Sequence, residues 1–188
     1  MILNKENTID ISLIKTGDVL LVSGVSFLAE AIKKFEDCPY NHAAMFVWIG
    51  GELYVWEAIE KGIETTLFSD YTNDKSIGLL VMKPKFTMPS DNDLISFVQP
   101  YVGHSNYDLW DLFILQPIRF LTHGWLGGKP NPLTRKFTCG MFVIFIVNHF
   151  FPKYFPLWHQ GAPSDLFATS QGKDAIYDAF VYFHYDVF

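Results

Sequence analysis

The spacing of apolar residues changes period several times along the chain. After a polar lead, Gly17-Asp18 opens a short apolar run, Val19 to Ser23, which predicts a strand. From Ser26 onward Phe27, Leu28, Ala31, Ile32 and Phe35 recur at helical spacing, with Lys33, Lys34 and Glu36 elsewhere on the helix, and Pro39 ends the stretch. Two β-rich runs then flank a glycine pair: His42 to Ile49, Gly50-Gly51, and Glu52 to Ile59. That is a hairpin signal. Gly62 allows another turn, Ile63 to Leu67 predicts a third strand of this group and Ile77 to Met82 a fourth, bounded by Pro84, as an antiparallel meander.

Helical signals dominate the second half. Ser90-Asp-Asn-Asp93 resembles a capping box opening a helix toward Tyr101, and a second helical stretch is expected from Tyr107 to Leu121, kinked at Pro117. Residues 122 to 136, rich in Gly, Pro, Lys and Arg, predict a loop. Thr138-Cys139-Gly140 leads into a strongly apolar helix ending near Asn148, and Pro152 stops it. A short helix start at Ala162 to Phe167 and a closing strand between Ile176 and Val187 complete the pattern. Helices and an antiparallel sheet segregated along the chain make the expected class α+β, in one domain over residues 1 to 188.

Composition narrows the functional classes. The chain has 188 residues, 49 % of them apolar and 18 % charged, which excludes intrinsic disorder. A net charge of −6 argues against nucleic acid and anionic membrane surfaces as partners. The aromatic share, 17 %, is the unusual feature, and the stretch from Trp110 to Trp125 is a natural place for a greasy substrate cleft. Neither Trp110 to Leu121 nor Phe137 to Phe151 is long and uncharged enough to span a bilayer, so no transmembrane segment is expected, although peripheral lipid contact stays open. The N-terminus lacks the basic region and apolar run of a signal peptide; with Met1 as the native start, a cytoplasmic location is expected.

The two cysteines, Cys38 and Cys139, fit neither a disulfide framework nor a zinc or redox motif, and a chain this long does not need a disulfide between them. The histidines outside the hairpin, His104, His123, His149, His159 and His184, lack metal-ligand spacing, so neither a metal nor a cofactor is expected.

The hairpin offers geometry. With a loop of two or four residues, Ala44 faces Glu57, and His42 and Glu57 become diagonal neighbours on one face, about 7 to 8 Å apart at the backbone. A three-residue loop would put them on opposite faces. A carboxylate beside a histidine fixes the imidazole tautomer and stabilises the imidazolium, which is what a nucleophile's base requires. Cys139 is the best nucleophile candidate, because unpaired N–H groups and the dipole at a helix start favour a thiolate and can hold an oxyanion. By local sequence alone, a cysteine there is more often a small core hydrophobe. Glu57 lies between Trp56 and Ala58, so a core-facing carboxylate there must be paired or protonated. Cys38, before Pro39 in a turn, reads as structural.

In order, Gly17-Asp18-Val-Leu-Leu, Asn41-His42-Ala-Ala-Met-Phe-Val, Glu57-Ala58 with Gly62-Ile63 and Leu67, Tyr107-Asp108, Cys139 and Pro163-Ser164-Asp165-Leu166 resemble the circularly permuted NlpC-like papain-fold proteins of the YiiX-like branch. The similarity spans about residues 16 to 167. The resemblance implies an antiparallel sheet packed against helices, with the histidine strand preceding the cysteine helix. It also implies Cys139 as nucleophile, His42 as general base, Glu57 as the residue orienting His42, and Tyr107 at the pocket wall or oxyanion site. Two departures stand out: Ala43-Ala44 follows the histidine where the family uses a Gly-Ile or Gly-Val style, and Gly140 stands where a serine usually follows the cysteine.

The expected function is a thiol hydrolase cleaving an amide bond of a peptide or another small amide, cell-wall-derived peptides included. The alternatives are a lipid acyl hydrolase or acyltransferase, as in the related lecithin retinol acyltransferase-like proteins, and a non-catalytic binding module on the same fold.

Overall fold

Gly50 and Gly51 both adopt positive φ, 61° and 87°, as the two central residues of a tight hairpin turn that favours glycine. They join β2 (His42–Ile49) to β3 (Glu52–Ile59), and the register pairs Ala44 with Glu57, Met45 with Trp56 and Phe46 with Val55. The two-residue loop therefore sets the even parity that puts His42 and Glu57 on one face. The computed structural model describes residues 10–104, 106–107, 136–154 and 161–183, with the backbone alone described at 106–107, 136 and 180–183.

Around this hairpin lies a six-stranded antiparallel sheet in the order β4-β3-β2-β1-β5-β8, with β1 at Val19–Ser23, β4 at Gly62–Leu67, β5 at Gly78–Pro84 and β8 at Tyr177–Phe183. The expected meander holds for β2, β3 and β4 only. β5 pairs with β1, on the far side of β2, because β1 occupies the edge that the hairpin leaves free. The buried Asp18 carboxylate, 2.9 Å from Lys83 Nζ, ties the two strands together just outside β1. A two-stranded parallel ladder, β6 (Asn106–Tyr107) and β7 (Lys136–Phe137), stands apart from this sheet. Tyr107 is thus a strand residue and not a helix start. The remainder of the expected helix to Leu121, the Trp110-to-Trp125 stretch and the loop up to residue 135 lie outside the described residues.

Strand alternation divides the core in two. On one face Val19, Leu21, Ala43, Met45, Val47, Trp56 and Ala58 pack against α3 (Asp91–Val98), α4 (Cys139–Phe150) and α5 (Pro163–Ala168). α4 is apolar on nearly all sides and correspondingly buried on nearly all of them. On the other face Leu20, Val22, Ala44, Phe46, Val55 and Val81 pack against Phe68 of α2 (Phe68–Asn73). The Phe68 ring meets Phe46 edge-on at 4.9 Å, which anchors this short helix over the hairpin.

α1 (Phe27–Glu36) starts at its expected cap, Ser26, whose hydroxyl accepts the Ala29 N–H. Its apolar stripe, however, does not face the core: Phe27 is 92 % exposed and Leu28 46 %, while Ala29 is buried. The helix is tied down through another side, where Lys33 Nζ donates to the Gly24 carbonyl at 2.9 Å.

Candidate active site

His42 is the first residue of β2, paired in register with Val22 of β1, so it stands at one end of the sheet. Its Nε2 lies 2.7 Å from Glu57 Oε2, which converts the diagonal relation of the two strands into a direct hydrogen bond. Glu57 is itself buried, only 4 % of its side chain being exposed, and it has further partners. Tyr71 of α2 donates its hydroxyl to the same Oε2 at 2.6 Å, and Thr66 of β4 lines the same pocket beside the carboxylate. Burial favours the neutral acid, but the His42, Thr66 and Tyr71 bonds together outweigh it and hold the Glu57 carboxyl below its ordinary value.

The ring reaches a second partner. Cys139 begins α4, which packs the opposite face of the sheet, and at the sheet's end it stands beside His42 and acts on its ring. Since Nε2 is engaged by Glu57, Nδ1 is the ring nitrogen available to the thiol. Burial disfavours the imidazolium; the negative charge and hydrogen bond of Cys139, followed by those of Glu57, overcome this and push His42 up to about 10. Glu57, His42 and Cys139 therefore stand in series, from β3 through β2 to a helix start, with His42 bonded to Glu57 and beside Cys139.

The surroundings of that helix start follow from small residues. Thr138 occupies the N-cap position without capping, because its hydroxyl donates instead to the Gly161 carbonyl at 3.3 Å. No side chain among the described residues caps the first turn of α4 at this position, which leaves its N–H groups as donors. Gly140 admits the segment 161–162: a Cβ there would lie 2.3 Å from the Gly161 oxygen, closer than real contacts allow. Gly161 takes φ 70°, and the next residues are held by Asp165, which accepts the Ala162 N–H, and by Glu36, which accepts the Ser164 N–H.

On the Glu57 side the site opens into a pocket of about 410 Å³. His42, Glu57, Thr66 and Tyr71 line it together with Asp70 and Asp74, so its walls carry both the pair itself and two further carboxylates.

Comparison with known proteins now places the chain. A family model described as permuted papain-like amidase enzyme, YaeF/YiiX, C92 family, matches residues 13–111, more than half of the sequence. The chain belongs to that family. The matched span contains His42 and Glu57, and Cys139 follows it. Among solved structures, the crystal structure of metalloprotein yiiX from Escherichia coli O157:H7 superposes with a TM-score of 0.54 at 15 % identity, covering 89 % of this chain and 88 % of that one. At this identity the likeness speaks for the fold. No curated protein matches.

Membership makes the protein a cysteine amidase or peptidase at family level, acting on peptide or amide bonds, and identifies the α+β architecture as the permuted papain-like one. In the structure Cys139, His42 and Glu57 are neighbours at one end of the sheet. Tyr107 is backbone-paired with Phe137, two residues before Cys139, which brings its strand close to the helix start. Tyr71 and Thr66 escaped the sequence reading. Their signal is faint: Phe68 and Tyr71 share the i, i+3 spacing of one helix face, yet six residues with four polar members do not announce a helix. A serine could not stand at Gly140 without displacing Gly161. No three His, Cys, Asp or Glu side chains among the described residues are arranged to hold a metal ion, and no described helix is long and apolar enough to cross a membrane.

Proposed function

We propose that the protein is a thiol hydrolase of peptide amide bonds with Cys139 as nucleophile, His42 as general acid and base, and Glu57 as the group that orients His42. The observation that carries this reading is the His42–Glu57 hydrogen bond with a cysteine at a helix start beside the same imidazole. His42 takes the Cys139 proton, and its raised pKa lets it keep that proton while the thiolate attacks the carbonyl carbon. The resulting oxyanion is held by the N–H groups of the first turn of α4, which Thr138 leaves uncapped. As the tetrahedral species collapses, the C–N bond breaks and the amine leaves with the His42 proton. Water then gives a proton to His42 and adds to the thioester, so that the carboxylic acid departs and the thiol is restored. Asp70 and Asp74 lend the adjoining pocket negative charge, which suits a short peptide with a free amino end.

Replacing Cys139 with Ala is expected to abolish hydrolysis of short peptides, and iodoacetamide is expected to alkylate Cys139 well ahead of Cys38 at neutral pH. Presenting a dipeptide, an N-acyl amino acid and a fatty-acyl ester separates the bond classes. Cleavage confined to the fatty-acyl ester would replace the peptide reading with lipid acyl hydrolysis. Equal alkylation of the two cysteines would remove the nucleophile altogether.

A further inference from the structure

Glu57 Oε2 receives two hydrogen bonds, one from His42 Nε2 at 2.7 Å and one from the Tyr71 hydroxyl at 2.6 Å. We propose that Tyr71 is a positioning residue of the active site, fixing the Glu57 carboxylate so that the carboxylate in turn fixes the His42 ring. The inference rests on the thiol-hydrolase reading above, in which Glu57 acts only as the partner of His42 and no step involves Tyr71. It follows from how a glutamate is built: the terminal torsion of its side chain is broad, so a carboxylate held by one partner turns easily. Here the carboxylate is gripped from β2 by His42 and from α2 by Tyr71, with Thr66 of β4 beside it. α2 is in turn held over the hairpin by Phe68 against Phe46, one helical turn before Tyr71. A six-residue helix with no side-chain cap is thereby placed so that its tyrosine meets the one buried carboxylate of β3.

The bond has a fixed direction. Burial first, and then the Glu57 charge, push the Tyr71 phenol upward, so it stays protonated and donates to an ionised Glu57. The other groups around that carboxylate are His42, the Cys139 sulfur beyond it, Glu64 paired opposite on β4, and Asp70 and Asp74 along the pocket. What opposes ionisation of Glu57 is its burial. Removing the Tyr71 donor leaves the carboxylate easier to protonate, and the acid limb of any process that needs it ionised moves to higher pH.

The test reads Cys139 itself, through its rate of alkylation by iodoacetamide against pH, followed by peptide mass spectrometry with Cys38 as the internal reference. Tyr71→Phe keeps the ring and removes only the donor. It is expected to raise the acid limb by about half a pH unit and so to slow Cys139 alkylation about threefold on the acid side. In a Glu57→Gln background the same substitution should add almost nothing, because the residue it acts through is already altered. Thr66→Val, which removes the other hydroxyl, is expected to move the limb in the same direction by less, and it serves should Tyr71→Phe fold poorly in thermal melts. An unchanged rate and limb in Tyr71→Phe, with Cys139 still alkylated much faster than Cys38, would overturn this inference alone. Losses that multiply with Glu57→Gln would overturn it too, by making Tyr71 a direct contact. Equal alkylation of the two cysteines in the unaltered protein would overturn the nucleophile and this inference together.

Discussion

Cys38 and Cys139 are almost equally buried, at 5 % and 4 % exposure, and both are free thiols. Their surroundings have opposite chemical meaning. Cys38 follows the left-handed Asp37 that ends α1, and burial, reinforced by the negative Glu36, Asp37 and Asp165, pushes its thiol up to about 11 despite a hydrogen bond from the Tyr40 N–H. Cys139 begins a helix whose first turn is uncapped and whose neighbour is an imidazole backed by a carboxylate. Burial by itself makes a thiol inert by penalising its charge. What distinguishes the second site is a partner that carries the compensating charge inside the same buried volume.

That comparison breaks most sharply at Glu57. Glu57→Gln keeps the shape of the side chain but leaves His42 beside a neutral group. We expect Cys139 alkylation and peptide turnover to fall about a hundredfold, or ~2.7 kcal/mol of barrier. The pH behaviour carries the sign. His42 is raised in the folded protein, so the interaction stabilises the fold fully below the ordinary histidine value of about 6.5 and is lost as pH rises through about 10. With Glu57→Gln the folded value should drop, which NMR titration of the ring checks directly, and the stability lost between those two pH values, measured by urea unfolding, should shrink. A Glu57→Gln protein with an unaltered ring titration would mean that Cys139 alone governs His42, and that Glu57 is packing.

The two cysteine sites also differ in how much of them could be read from the chain. A glycine pair between two β-rich runs defines a two-residue loop, and strand parity then aligns His42 with Glu57 without any long-range knowledge. The start of α4 is equally plain, since apolar periodicity begins at Cys139. Long-range placement was less accessible. No local pattern says that β1 will sit between β2 and β5, because pairing partners depend on which sheet edge is free when the chain returns. Periodicity likewise located α1 but not what fixes it: Lys33 ties the helix to Gly24 by a polar contact that a hydrophobic count does not see. Tyr71 was hidden for the same reason, its role being defined by a carboxylate fourteen residues away on another element.

Gly140 offers a smaller but purely geometric test of the Cys139 side. Because a Cβ at this position would press on the backbone oxygen of Gly161 and not on a flexible side chain, relief requires the 161–162 segment to move. Gly140→Ser should therefore cost about 2 kcal/mol in urea unfolding, within the ordinary range for overpacking. It should also slow Cys139 alkylation, since Thr138 loses its place on the Gly161 carbonyl. Wild-type stability in this variant would show that the loop is free to retreat and that the close approach does not constrain the helix start.

The smallest effect belongs to Cys38. Its sulfur lies in the apolar cluster on the helix-packed face of the sheet with Tyr40, Ala43 and Leu166, and the ionisable groups that act on it, Glu36, Asp37 and Asp165, are negative ones that oppose a thiolate. Cys38→Ala removes one buried heavy atom and the acceptor of the Tyr40 N–H, so a loss of about 1 kcal/mol in stability is expected. Peptide turnover and the pH profile of Cys139 alkylation should be those of the unaltered protein, because the cost is the same packing cost in every state along the reaction. If turnover falls with Cys38→Ala while stability holds, the thiol at the end of α1 takes part in the chemistry. The contrast between a paired and an unpaired buried cysteine would then no longer explain which of them reacts.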